Sequence, residues 1–381
     1  MAVKVALFSR YPVDFTRPKG GVESVAVVLA RALAQLEHLD VHVVTLERER
    51  AQIQIEHDED VKVHRLPGSG WPQILDIHLG PGKKRLINYV KDLKPDILHT
   101  HETYGLTLGS ISIPHVFTVH GFDHANLIAE SAKLGRLRSW MWKRVEKRGL
   151  SGQRHIISIS PYVTKMIEQQ TDANIYDIDN PVDERFFKIE RRPESFRILC
   201  VGWISERKNT LAAVEAFAKS MGICSEARLV IAGEPKEAEY WSRVKEVIAR
   251  HGIGEKIEIL GHINHVQLEN ELARASVFLL PSRQENAPMA IAETMAAGIP
   301  VVASNRCGMP YMIRDGESGF LVDPDNSDDI ARRLKQLLSD DELRKAMGSK
   351  GRKIALDRFH PAKVAKRTRD VYLRAISEAK R

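Results

Sequence analysis

Two glutamates, Glu285 and Glu293, stand with seven residues between them, on either side of what reads as a helix start. The apolar run Val277–Leu280 is a buried strand closed by Pro281. Pro288 suits the first turn of a helix, where a missing N–H costs nothing. Gly298 stops that helix, and Ile299–Ala303 is the next strand. The free backbone N–H groups of the first turn lie between the two carboxylates, and such a helix start attracts phosphate. An ordinary crossover with two surface glutamates would show the same spacing, so these residues need the rest of the chain.

Other strand ends carry chemistry of their own. Lys19-Gly20-Gly21-Val22-Glu23 follows the first strand, and its paired glycines let the backbone approach a ligand, or simply turn the chain. His99 and His101 alternate onto one face of a strand, which favours packed or hydrogen-bonded rings over a metal pair, because no third ligand is near in sequence. His120, followed by Gly121-Phe122-Asp123, ends the next strand, where it can bond a substrate hydroxyl or hold a loop. Arg207 and Lys208 follow Val201-Gly202-Trp203-Ile204-Ser205-Glu206 at a helix start. Positive charge is disfavoured there by the helix dipole, which points to an anion such as a diphosphate. No G-x-G-x-x-G follows a strand and no Walker sequence occurs, which counts against nicotinamide enzymes and P-loop ATPases.

The elements that must hold these residues alternate between strand and helix. Val3–Ser9, 41–46, 61–66, 97–101, 115–120 and 156–160 read as strands, with helices near 22–36, 83–93 and 161–170. The pattern restarts after Asn180-Pro181-Val182-Asp183, with strands at 196–202, 229–232, 257–260, 277–280, 301–303 and 320–322. This is an α/β chain of two tandem doubly wound, Rossmann-like parallel-sheet domains facing a central cleft. The expected division is a first domain over 1–182, a linker or hinge over 183–196, a second domain over 197–360, and a basic C-terminal helix over 361–381 that returns to the first domain. Ligands of such sheets bind beyond the carboxyl ends of the strands, and residues from both halves would converge by domain closure.

At 381 residues, two domains of ordinary size are expected. No apolar run is long enough to span a membrane, and Met1–Ser9 reads as a strand rather than a signal peptide. Cys200, Cys224 and Cys307 are few and scattered, which suggests a reducing cytoplasm. The net charge of +7 permits an anionic substrate or membrane without demanding nucleic acid. The segment 131–149 is basic, with Trp140 and Trp142. It reads first as a solvated surface helix and second as a membrane-lying one.

Taken in order, these segments resemble the retaining glycosyltransferases of family four, with the GT-B fold. The resemblance spans nearly the whole chain. It is carried by Pro281-Ser282-x-x-Glu285, seven residues, Glu293, and the run ending Ala297-Gly298-Ile299-Pro300-Val301-Val302-Ala303-Ser304. Supporting matches are Gly20-Gly21-Val22-Glu23, His120-Gly121, Gly202 with Lys208, Ala232-Gly233-Glu234-Pro235, Gly261-His262 and Asp315–Val322.

The resemblance implies transfer of a sugar from a UDP- or GDP-linked donor to a sugar or lipid-linked acceptor. It also implies retention at the anomeric carbon, with no metal and no other cofactor. Glu293 would hold the ribose and Glu285 the donor sugar near the reaction centre. The N–H groups of Ala287, Met289 and Ala290 would hold sugar hydroxyls or phosphate. Lys208 with Arg207 would neutralise the diphosphate, His120 would touch the transferred sugar, Gly21 would admit the diphosphate, and the base would lie near Ile263. Two positions depart from the family pattern: Trp203 replaces an arginine, and Asn286-Ala287-Pro288 replaces a glycine-rich loop. The expected setting is the cytoplasm, at the inner face of the membrane, in envelope or polysaccharide synthesis. The alternatives are a nucleotide-sugar epimerase and a non-catalytic membrane- or nucleic-acid-associated protein. The chain lacks a nucleic-acid-reading motif.

Overall fold

A computed structural model describes the chain except Met1, Lys19, Glu49, Pro72, Leu79, residues 109–110, 122–134 and 222–225, and Arg381; the side chains of residues 73–74, 135–138 and 141 are also outside it. The readings made on Phe122, Asp123, Cys224 and the stretch 131–134 therefore lie outside the described residues.

The chain forms two α/β units. Of the described residues, the first takes those within 1–121, 136–181 and 361–381; the second takes Gly135 and those within 182–360. In the first, β1 (Val3–Phe8), β2 (Leu39–Glu47), β3 (Gln54–Asp58), β4 (Val61–Pro67), β5 (Ile97–His101), β6 (His115–Val119), β7 (His155–Ser158) and β8 (Asn174–Asp177) make a sheet in the order 3-4-2-1-5-6-7-8. All neighbours are parallel except β3, which pairs antiparallel with β4. The second unit's sheet contains β9 (Arg197–Val201), β10 (Arg228–Ala232), β11 (Ile257–Ile259), β12 (Val277–Leu280), β13 (Val301–Ser304) and β14 (Gly319–Val322). Its order is 11-10-9-12-13-14, and every pair is parallel.

Central strands such as Val-Phe-Leu-Leu (β12) are apolar throughout because helices cover both faces. One face of the second sheet packs on helices Thr210–Ser220 and Ser327–Ser339 through Phe217, Leu229, Leu334 and Leu337. The other face packs on His265–Arg274 and Met289–Ala296 through Phe278, Ile291 and Met295. Each fully buried side chain of this size contributes roughly 1.5–3 kcal/mol. In both sheets the strand order reverses beside the first strand, between β1 and β5 and between β9 and β12. Loops diverge at such a switch point and leave a crevice at the strand ends.

Three details differ from the sequence reading. Residues 183–196 are not a free linker: they belong to the second unit, with Phe186 and Phe187 buried in its core and Val182 N donating to Phe359 O at 2.9 Å. The edge strands β3 and β8 were not foreseen, because Gln-Ile-Glu-His-Asp and Asn-Ile-Tyr-Asp bury too few side chains to show an apolar run. Pro288 is the N-cap rather than a first-turn residue, at φ −66° and ψ 121°, with the helix beginning at Met289. The terminal helix Pro361–Ala379 packs on the first unit through Val364, Ala365, Val371 and Tyr372, and its basic residues take the outer positions.

Candidate active site

The second unit's switch point gathers most of the residues singled out by sequence. The loop after β9 carries Arg207 and Lys208, and the loop after β12 carries Glu285. Lys208 Nζ lies 2.6 Å and Arg207 Nη1 2.8 Å from the same oxygen, Glu285 Oε1. The Arg207 guanidinium also donates to Gln284 O at 3.0 Å, and Arg283 N donates back to Arg207 O at 2.8 Å, so the two loops are stitched together. These charges are shielded from water, with the side chains of Lys208 and Glu285 only 14% and 11% exposed. Burial pushes the Glu285 carboxyl up, but Lys208 and then Arg207 outweigh it and hold the group below its ordinary value. Burial, aided by Arg207, pulls the Lys208 ammonium down against the attraction of Glu285.

Local backbone explains how Lys208 gets there. Gly202 has φ +134°, and a Cβ on it would sit 2.9 Å from Lys208 Cε and 3.3 Å from Nζ. A Cβ on Gly233 would meet Gly202 O at 1.9 Å. Two glycines thus let adjacent strand ends close up under the lysine stem. Ser205 Oγ accepts from Lys208 N at 3.3 Å. Asn209, at φ +56°, precedes the helix and donates its amide to Pro324 O at 2.6 Å.

Behind Glu285, Gly308 N donates to Glu285 O at 2.8 Å, and a Cβ on Gly308 would fall 1.7 Å from Asn286 O. The sequence reading missed this support; its signal was the glycine in Cys307-Gly308 after β13. It also missed the belt in which Arg283 pairs with Glu206 and with Asp325, the latter at 3.1 Å.

Beyond Glu285 the helix start presents the N–H groups of Ala287, Met289 and Ala290, none of which donates to another described residue. The side chains of these three and of Ile263 pack on one apolar cluster. Glu293, one helical turn further on, is 6% exposed. Its carboxylate meets no hydrogen-bonding or ionic partner among the described residues. Burial first, and the Asp183 carboxylate second, lift it to about 7. Trp203 is half exposed, and with no arginine at that position Arg207 is the second cation beside Lys208.

Gly21 and His120 belong to the first unit. Gly21 opens helix Gly21–Ala34; the preceding Gly20 is extended, and a Cβ there would meet nothing within 4 Å. His120 is buried just past β6, its Nε2 2.9 Å from His101 Nδ1. His99 and His101 are not a metal pair in waiting. His99 bonds Tyr372 OH at 2.6 Å and Thr118 Oγ1 at 2.7 Å, and its ring lies 4.6 Å from that of His101. Burial lowers His120 to about 4, so it is neutral at physiological pH.

Half-buried cations placed to receive an anion, beside a carboxylate and a helix start, are the parts a diphosphate-linked substrate requires. Comparison with known proteins decides the family. Residues 181–354 match the model for glycosyl transferases group 1, and residues 19–186 match that for glycosyltransferase family 4. The chain belongs to the family four, group 1 glycosyltransferases. A D-inositol 3-phosphate glycosyltransferase of Paenarthrobacter aurescens is 27% identical over 86% of this chain and 87% of its own. An uncharacterized glycosyltransferase of Methanocaldococcus jannaschii is 23% identical over 75% and 77%. Among solved structures, sucrose-phosphate synthase of Thermosynechococcus elongatus superposes with a TM-score of 0.78 at 19% identity, covering 99% of this chain and all of that one. HepE of Anabaena in complex with UDP-glucose gives 0.72 at 16% identity, covering 98% and 99%. The fold is therefore GT-B, and the enzyme is a glycosyltransferase that uses a nucleotide-sugar donor.

Proposed function

We propose that this glycosyltransferase moves a sugar from a UDP- or GDP-linked donor to a hydroxyl of a sugar or lipid-linked acceptor, retaining the anomeric configuration and using no metal. The observation that carries this reading is the half-buried trio Arg207, Lys208 and Glu285, two cations on one carboxylate oxygen at a switch point. When the glycosidic bond breaks, negative charge builds on the departing diphosphate. Lys208 and Arg207, already held in a water-poor site, stabilise that charge without reorganising. Glu285, freed from the cations, contacts the donor sugar. Glu293 accepts hydrogen bonds from the ribose hydroxyls, and the N–H groups of Ala287, Met289 and Ala290 hold sugar hydroxyls or phosphate. Gly21 admits the diphosphate, Ile263 lies against the base, and His120 contacts the transferred sugar. A complex of HepE with UDP-glucose supports a uridine donor.

A panel of labelled UDP-, GDP- and ADP-sugars, incubated with candidate acceptors and chelator, tests the reading. Hydrolysis or transfer is expected with one nucleotide class and is lost in Lys208→Ala and Glu293→Ala. Full turnover in both variants would sink the assignment, and an inverted product anomer would remove retention.

The helix Gly135–Ser151 supports docking on an anionic membrane, in keeping with a lipid-linked acceptor at the cytoplasmic face. Trp140 is half exposed under Arg144, whose guanidinium carbon lies 3.9 Å from the ring centroid. Co-sedimentation with phosphatidylglycerol vesicles but not phosphatidylcholine vesicles is the expected result.

A further inference from the structure

Trp203 stands at the carboxyl end of β9, directly after Gly202, and is half exposed. A large indole left in water forgoes the stabilisation that burial would bring, so what it faces matters. The backbone that carries it is fixed. The register of β9 on β10, with Val201 opposite Ala232, runs on unbroken to Ile204 opposite Pro235. Gly202 N donates to Ala232 O at 2.9 Å, Ile204 N to Glu234 O at 2.8 Å, and Lys236 N to Ile204 O at 3.0 Å. Trp203 therefore sits in an extended parallel ladder rather than on a loose loop.

Because the ladder is unbroken, side-chain alternation carries through it. Ile198, Cys200 and Ile204 lie in the apolar cluster on one face of the second sheet, and Leu199 and Val201 go with the cluster on the other. Trp203 falls on the side of Leu199 and Val201. That is the face on which Ala287, Met289 and Ala290 pack, at the start of helix Met289–Ala296. Strand order agrees: β9 lies directly beside β12, which leads into that helix start, whereas β11, which leads to Ile263, is two strands away on the other side. The neighbouring residue, Gly202, packs under Lys208, so the indole follows in sequence the glycine that seats the cation. The ring makes no hydrogen bond and no aromatic or cation contact with another described residue.

We propose that Trp203 is a specificity-determining residue of the donor site, its indole forming the apolar wall against which the C–H face of the transferred sugar lies. The inference rests on the donor reading above and adds to it the group that selects the sugar. A pyranose carries hydroxyls around its rim and C–H bonds on its faces. Lys208, Glu285 and the N–H groups of the helix start can serve the rim and the phosphate; none of them serves a face. An indole on a pinned backbone does, and it costs little entropy on binding because it turns about few bonds. The base belongs at the Ile263 end, two strands from β9, so the ring acts on the sugar and not on the nucleotide.

The test is calorimetric titration of the full-length protein, without acceptor, with UDP and UDP-glucose and with GDP and GDP-mannose. Wild type, Trp203→Ala and Trp203→Phe are compared on the pair that the wild type binds. Trp203→Ala should bind the nucleotide-sugar about three- to tenfold more weakly than the wild type, the worth of one ring contact. It should bind the free diphosphate as the wild type does, which also shows that the variant is folded. Trp203→Phe, which keeps a flat ring, should recover most of the lost affinity. An equal loss for diphosphate and nucleotide-sugar overturns the proposal, because the ring would then serve the nucleotide or the fold. No loss for either ligand, or a phenylalanine variant as weak as the alanine one, overturns it as well. A wild type that bound neither nucleotide nor nucleotide-sugar would instead remove the donor reading, and this inference with it.

Discussion

At the second unit's switch point three charged side chains are packed together, half-buried, whereas at the first unit's strand ends the buried groups are histidines kept neutral. Both places limit contact with water, yet they treat charge in opposite ways. Lys208 and Arg207 pair with the one carboxylate of Glu285, at 2.6 Å and 2.8 Å from a single oxygen. His99 bonds Tyr372 and Thr118, His101 bonds His120, and burial holds all three well below the ordinary histidine value. The first arrangement keeps positive charge ready for an anion. The second offers uncharged hydrogen bonds, which suit hydroxyl groups. A chain that handles a sugar diphosphate needs both kinds.

The sharpest way to break this contrast is to remove charge from the second unit. Lys208→Ala should lower kcat by about 10²- to 10³-fold, the usual loss on removing one preorganised partner of a developing anion. His120→Gln should cost less, because only a neutral hydrogen bond is lost, about tenfold. Parallel kinetics on the two variants check the ranking, and a reversed order would erase the distinction between the regions.

Glu293 sharpens the comparison because it is a buried acid with no cation paired to it among the described residues. Its folded value, about 7, lies above the unfolded value of 4.5. The folded protein therefore holds the proton more tightly, and stability falls as pH rises through that window. The loss amounts to roughly 3 kcal/mol by pH 8. Glu293→Gln should remove this slope, so chemical denaturation at pH 5 and pH 8 should show the wild type losing stability where the variant does not. Equal slopes would mean that the carboxylate is paired.

The histidines give the opposite sign. Their folded values are depressed, His120 and His115 to about 4 and His99 to about 3, below an unfolded 6.5. The unfolded chain then takes protons first, and stability is lost as pH falls from about 6.5 toward 4. In amide exchange at pH 5, β5 and β6 should lose protection before β12 and β13.

Much of this was legible in the residues. The alternation of apolar runs gave the parallel sheets, because central strands buried on both faces cannot hide. Lys208 and Glu285 drew attention by charge at strand ends, and the structure joins them. The stretch 183–196 was misread because its charged residues outweighed Phe186-Phe187, the pair that anchors it in the second unit's core. The edge strands β3 and β8 carry too little apolar surface to register. Gly308, whose Cβ would strike Asn286 O, and the His101–His120 bond depend on which strands become neighbours, and no local pattern states that.

The central claim is that the Glu285 carboxylate occupies the place an incoming anion will take on Lys208 and Arg207. Calorimetric titration of a nucleoside diphosphate into the wild type and Glu285→Gln tests it directly. The variant no longer neutralises the two cations, so it should bind the free diphosphate about tenfold more tightly while losing turnover of the corresponding nucleotide-sugar. Equal or weaker diphosphate binding by a folded Glu285→Gln would contradict the account.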